Sequence, residues 1–357
     1  MWLWRLRFTR EELTHAKVGA SPVIFSRLRS AFTLATVSML RHLVALATLL
    51  ALTPHVVQSD ALHRVRHVEI APSVQLEVLD WGGSGPAMVF LAGFGNTGHV
   101  FDGFAPRFTN QYRVLAITRR GFGASSRPNT GYDTKTLAAD IVSVLDSLGL
   151  RRATFVGHSF AGSELSYLGA RHAERVGQLI YLDASYDFAR LYADSVWRQA
   201  FPVPRPAPPA TRDIVQWRRW FALVMGPSLP DDEIRALTTD ASAAALSDSL
   251  QRGAATVNLS DIHTPMLALW ATPRSVREQY PYWASLTATE RERLRASFKA
   301  QQLVRRAHLD QFRRQVPRAL LVPVPAGRHH LFLSHPLLVA DAMRGFLRSQ
   351  HPQPNER

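Results

Sequence analysis

From His67 onward the apolar residues fall into short runs at two spacings. Residues 68–70 and 74–79 read as a strand pair around the turn Ala71-Pro72-Ser73, and Ala87–Leu91, 113–118, 153–156, 179–182, 266–270 and 320–324 read as further short strands. Between them, residues 135–148 place Leu137, Ile141, Val144 and Leu145 at helical spacing, with Gly149 just past the end. Residues 159–172 and 337–347 also read as helices. Strands that alternate with helices predict an α/β fold, a mostly parallel sheet covered on both faces. The alternation stops between Asp183 and Pro265. Pro202, Pro204, Pro206, Pro208 and Pro209 make a stiff extended stretch, and Ile214–Met225 follows as a helix carrying Trp217 and Trp220. The pattern therefore predicts a core of residues 62–186 and 265–349, a helical cap inserted at 187–264, and a tail at 350–357.

Residues 1–61 are patterned differently. An apolar block at 43–52 follows Arg41 and His42, and precedes Pro54 and the small polar run at 58–61. That order is a signal-peptide pattern, too short in its apolar core for a comfortable membrane span. Cleavage is expected after Ser59 or Ala61, and Met39 is a candidate start that would make residues 1–38 an extension. The other reading of the start is a basic amphipathic leader, because Trp2, Leu3, Trp4 and Phe8 alternate with Arg5, Arg7 and Arg10. On the signal-peptide reading the expected location is exported, periplasmic or secreted rather than cytoplasmic; the leader reading instead predicts a membrane surface. Membrane contact is expected only through the N-terminal segment, around residues 39–56, if it stays uncleaved. Net charge is +14, yet the arginines are scattered in runs no longer than two, so nucleic acid is not an expected partner. The chain has no cysteine, which excludes disulfides, thiolate metal sites and a thiol nucleophile. Neither a metal nor a cofactor is expected.

The chemistry concentrates at residues 153–162, an apolar strand, a tight turn carrying Ser159, and a helix start. Small residues stand two before and two after the serine, at Gly157 and Ala161, where bulk would clash with the neighbouring strand and helix. Glycine is the usual residue at the second place; here alanine holds it and Gly162 follows. A serine needs a base, and the base needs an orienting group. His329 lies in the loop after the last strand and before Pro336, and is the expected base, with adjacent His330 as competitor. His158 is expected to be structural. For the acid, the strand at 266–270 runs into Ala271-Thr272-Pro273-Arg274 without a carboxylate. Asp183, one strand earlier, keeps the order Ser…Asp…His and is preferred, with Glu278 as runner-up and Glu164 as a structural contact under the site. The oxyanion donors are expected to be the backbone N–H groups of Phe160 and Phe94, the latter between Gly93 and Gly95. That glycine loop lacks the Lys-Ser/Thr of a phosphate cradle.

The loop Ala92-Gly93-Phe94-Gly95, the turn Arg119-Arg120-Gly121-Phe122-Gly123-Ala124-Ser125, the elbow and late His329 together resemble the α/β-hydrolase superfamily over about residues 66–349. The segments 90–104, 157–165 and 181–184 also resemble a group of bacterial hydrolases of this fold. The resemblance implies an eight-stranded sheet, a Ser-His-acid triad and cofactor-free hydrolysis of ester-like bonds. Thr118 departs from it where Asp is frequent, as does the missing acid after the seventh strand. Ser159 separates the chain from the haloalkane dehalogenases and epoxide hydrolases, which resemble this fold but use Asp at the elbow. The expected function is a carboxylic-ester hydrolase acting on a small, apolar acyl substrate. Thioesterase, amidase, lactonase or acyltransferase activity are its variants, and a non-catalytic binding protein on the same fold is the alternative.

Overall fold

The computed structural model describes residues 63–239 and 242–350, with side chains left undescribed at 242–245. The leader, Met39, the cleavage positions and the tail beyond Gln350 lie outside the described residues. Among the described residues no helix is long and apolar enough to cross a membrane.

Eight strands form one sheet: β1 (Arg64–Ala71), β2 (Val74–Gly82), β3 (Ala87–Leu91), β4 (Arg113–Ile117), β5 (Ala153–His158), β6 (Val176–Leu182), β7 (Met266–Thr272) and β8 (Leu320–Pro325), in the order β1-β2-β4-β3-β5-β6-β7-β8. β2 pairs antiparallel with β1 and β4, and every later pairing is parallel. Whereas the edge strand β8 is largely exposed, the central parallel strands are mostly apolar because both their faces are covered. Their alternate residues feed opposite layers. Val89, Tyr181 and Trp270 pack on one face beneath α1 (Thr134–Ser147), α2 (Ala161–Arg171) and a later long helix. Phe90, Ile180 and Leu269 pack on the other, with Phe101, Phe104, Phe332 and Phe346. Full burial of a ring such as Phe90 is worth roughly 2–3 kcal/mol.

The strand order reverses at β3, which lies between β4 and β5. A crevice forms outside the carboxyl ends of strands at such a switch point. Leu91 pairs with Gly157 and His158 with Leu182, so the loops after β3, β5 and β6 leave the sheet side by side.

Between β6 and β7 stand α3 (Phe188–Ala193), α4 (Ser195–Gln199), α5 (Ile214–Met225), α6 (Asp231–Thr239) and α7 (Ser242–Gly253). The proline-rich stretch between α4 and α5 carries no regular secondary structure. Phe188 and Leu191 join one core layer, and Phe221 and Ile234 the other. Between β7 and β8 lie α8 (Val276–Gln279) and a helix the apolar pattern did not predict, α9 (Ala288–Gln315), opened by a capping box between Thr287 and Glu290. α10 (Leu331–Ser334) and α11 (Pro336–Gln350) close the chain.

Candidate active site

Ser159 sits between β5 and α2 with φ +52°, a left-handed conformation that non-glycine residues rarely adopt. The strain is held by close packing. A Cβ on Gly157 would lie 2.7 Å from Leu165 Cδ1, and one on Gly162 would lie 1.8 Å from the Ala184 carbonyl oxygen. Gly162 thus meets the segment after β6 directly, and Ala161 is tolerated at the position before it.

His329 Nε2 lies 2.8 Å from Ser159 Oγ, and His329 Nδ1 lies 2.8 Å from Asp183 Oδ2. Asp183 is fully buried and, like Ser159, has a positive φ, +49°. Its Oδ1 accepts from Arg305 Nη2 at 2.7 Å and from the Ala271 amide at 3.2 Å, with the Tyr186 hydroxyl at 3.4 Å. Burial opposes ionisation of Asp183, but the Arg305 guanidinium, His329 and the Ala271 amide outweigh it and hold the carboxyl below the ordinary range. The stability this group contributes is complete above the unfolded carboxylate pKa of about 3.9 and is lost as pH falls below it.

Glu278 is not brought to His329. Its carboxylate accepts from the Arg274 amide at 2.7 Å, and its own amide donates to the Ser275 hydroxyl that caps α8. His330 points away from Ser159, with Nε2 3.3 Å from Asn96 Oδ1; burial and neighbouring His329 push it down to about 3. His158 is buried, stays far below the ordinary histidine range through desolvation, and donates from Nε2 to the His329 carbonyl at 3.1 Å. Its ring lies 4.7 Å from that of His329, so it braces the loop that carries the base.

The Phe160 and Phe94 amides lie on the two loops that flank Ser159, and neither donates to any group among the described residues. A Cβ on Gly93 would stand 3.0 Å from Ser159 Cβ, so only glycine lets this loop come so near. The loop is fixed from below. Arg119 donates to the Ala92 carbonyl at 2.9 Å and forms a two-pronged pair with Glu164 on α2, at 2.5 and 2.9 Å. Thr118, placed where Asp is frequent, donates to Glu77 at 2.6 Å and accepts from the Gly98 amide.

Two functional positions escaped the sequence reading. Arg305 lies on the unpredicted α9, in a buried stripe with Gln301, Val304, His308 and Phe312. Glu233, at the start of α6, is fully buried; its carboxylate accepts from Asn96 Nδ2 at 2.7 Å and from the amide and hydroxyl of Thr97. It ties the cap to the loop after Gly95. Desolvation pushes Glu233 up to about 7 against these hydrogen bonds. Because the folded pKa lies above the unfolded one, this carboxyl favours the fold most at low pH, and that benefit is lost as pH rises from about 4.3 to about 7. Glu233→Gln cannot ionise. Urea unfolding at pH 5 and pH 8 should therefore show the wild type losing ground to the variant with rising pH, by about 3 kcal/mol at most. An unchanged difference would contradict the upward shift of Glu233.

A tight turn carrying a strained serine, hydrogen-bonded through an imidazole to a buried carboxylate at the carboxyl edge of a parallel sheet, defines a hydrolase of the α/β class. The sequence profile of the alpha/beta hydrolase family matches residues 88–342, and the chain belongs to that family. Among curated relatives, a fluoroacetate dehalogenase of Burkholderia sp is 31% identical over 138 residues, 36% of this chain and 45% of that protein. A putative non-heme chloroperoxidase of Synechocystis sp. is 37% identical over 102 residues, 28% of this chain and 37% of that protein. The matched stretches thus span less than half the length of these curated relatives. Among solved structures, E-2-(acetamidomethylene)succinate hydrolase aligns with a TM-score of 0.57 at 22% identity, over 80% of this chain and 99% of its own. A bacterial membrane phospholipase A aligns with a TM-score of 0.56 at 22% identity, over 91% of this chain and all of its own. At these identities the structures establish the fold alone.

Proposed function

We propose that the protein is a serine hydrolase that cleaves carboxylic-ester-like bonds through an acyl-enzyme. The observation that carries this is the relay from Ser159 through His329 to Asp183, with both hydrogen bonds at 2.8 Å. Ser159 attacks the carbonyl carbon while His329 Nε2 takes its proton. Asp183 holds the Nδ1–H tautomer and stabilises the imidazolium that forms. The Phe94 and Phe160 amides bind the oxyanion. Collapse of the tetrahedral intermediate expels the alcohol, which takes the proton back from His329, and water then repeats the sequence on the acyl-serine.

The serine also favours acyl over alkyl chemistry, although one curated relative is named a dehalogenase and another a soluble epoxide hydrolase. Alkylation of a serine would leave an ether that activated water does not hydrolyse, whereas an acyl-serine is a cleavable ester. An apolar acyl group is supported by Phe94, whose exposed ring stands edge-on to Phe122 at 6.2 Å beside the site. p-Nitrophenyl esters of rising chain length test this reading. Turnover is expected, with kcat/KM increasing beyond the acetate. A folded protein that hydrolyses none of them contradicts the ester assignment. The apolar block at 43–52 supports export as the setting of this activity. N-terminal sequencing of the native protein checks it, and a terminus within residues 1–38 would contradict cleavage.

A further inference from the structure

A second polar cluster lies between the start of β1 and the turn after β3, and the proposed hydrolysis does not use it. His63, just before β1, and His99 and Asp102, on the turn after β3, each offer one ligand atom, all within 4.8 Å of one another. We propose that these three residues bind a divalent transition-metal ion of the zinc type.

Each imidazole stands close enough to Asp102 to share an ion with it, through a different carboxylate oxygen in each case. Asp102 Oδ1 lies 3.2 Å from His63 Nδ1, and Asp102 Oδ2 lies 3.2 Å from His99 Nδ1. Ligands about 2.0–2.1 Å from a tetrahedral centre stand about 3.3 Å apart. His63 Nδ1 and Asp102 Oδ1 are buried and pair with each other at 3.2 Å, and no other group among the described residues partners either atom. A cation between them satisfies both. The second nitrogen of His99 is also placed as a ligand requires. Its Nε2 lies 3.5 Å from Glu77 Oε1, and Glu77 accepts in turn from Thr118 at 2.6 Å. A carboxylate on the far nitrogen of a ligating histidine fixes its tautomer and raises its basicity. The ring of Trp81 packs edge-on to His63 at 5.4 Å and shields that side.

The charge also suits a cation. Two carboxylates, Glu77 and Asp102, face two imidazoles here. A cavity of about 820 Å³ bordered by His63, Glu77, His99, Arg127, Asp232 and Arg235 reaches the two imidazoles and leaves room for an exogenous ligand. Three protein ligands with an open place is the arrangement of a site that exchanges with solvent. Bound there, the ion clips the start of β1 to the turn after β3.

The test is titration of untagged full-length protein, stripped with a chelator, with zinc chloride by calorimetry, and metal analysis after dialysis. One zinc per chain and a raised Tm are expected. Asp102→Asn and His63→Ala, checked for folding by circular dichroism, should lose stoichiometric binding. Glu77→Gln should weaken it by about tenfold or more. Wild-type protein that takes up no stoichiometric zinc overturns the proposal, as does equal binding by folded Asp102→Asn and His63→Ala.

Discussion

Ser159→Ala is expected to remove ester turnover, by about 10⁶-fold in kcat if the three residues act as a unit. His329→Ala should cost about as much, because a serine without its base stays protonated at neutral pH. His330→Ala is the control. Its Nε2 faces Asn96 and not Ser159, so most of the activity should survive. Steady-state kinetics on the best p-nitrophenyl ester reads all three. A dead His330→Ala beside an active His329→Ala would move the base to the neighbouring residue.

The second large effect belongs to the acid. Asp183→Asn keeps the shape of the side chain but presents an amide to His329 Nδ1 and selects the wrong tautomer, so kcat should fall by about 10⁴-fold. The substitution also leaves Arg305 without its charged partner in a buried place. Removing one member of a buried pair costs about 3–5 kcal/mol, so the variant should unfold at markedly lower urea. The two losses separate by measurement. Glu278→Gln should leave kcat unchanged, because that carboxylate engages the Arg274 amide and not the histidine. Near-normal turnover in folded Asp183→Asn would contradict its assignment as the orienting acid.

What the chain made legible follows from the range of each signal. The strand-turn-helix at Ser159 is local: small residues at fixed offsets answer to steric contacts, and here the contact of Gly162 with Ala184 explains why alanine is allowed one place earlier. The parallel strands were readable because burial on both faces demands continuous apolar runs. α9 was not, because its buried stripe includes Gln301, Arg305 and His308, which a pattern of apolar positions cannot count. Arg305 was lost with it, although Thr287 and Glu290 carried the signature of a helix start. Glu233 sits among Asp231 and Asp232 in a stretch that reads as a solvated first turn, and only the packing of α6 on Thr97 buries it. His63, His99 and Asp102 are separated by 36 and 3 positions with no ligand-spacing motif, so chain folding alone brings them together.

The account rests on an activated serine at position 159, and one measurement reaches it without knowledge of the substrate. The purified protein is treated with a fluorophosphonate probe and the labelled peptide mapped by mass spectrometry, with Ser159→Ala in parallel. The account predicts one covalent adduct, on Ser159, formed rapidly in the wild type and absent from the variant. A folded wild-type protein that stays unlabelled, or one labelled equally in the variant, would contradict it.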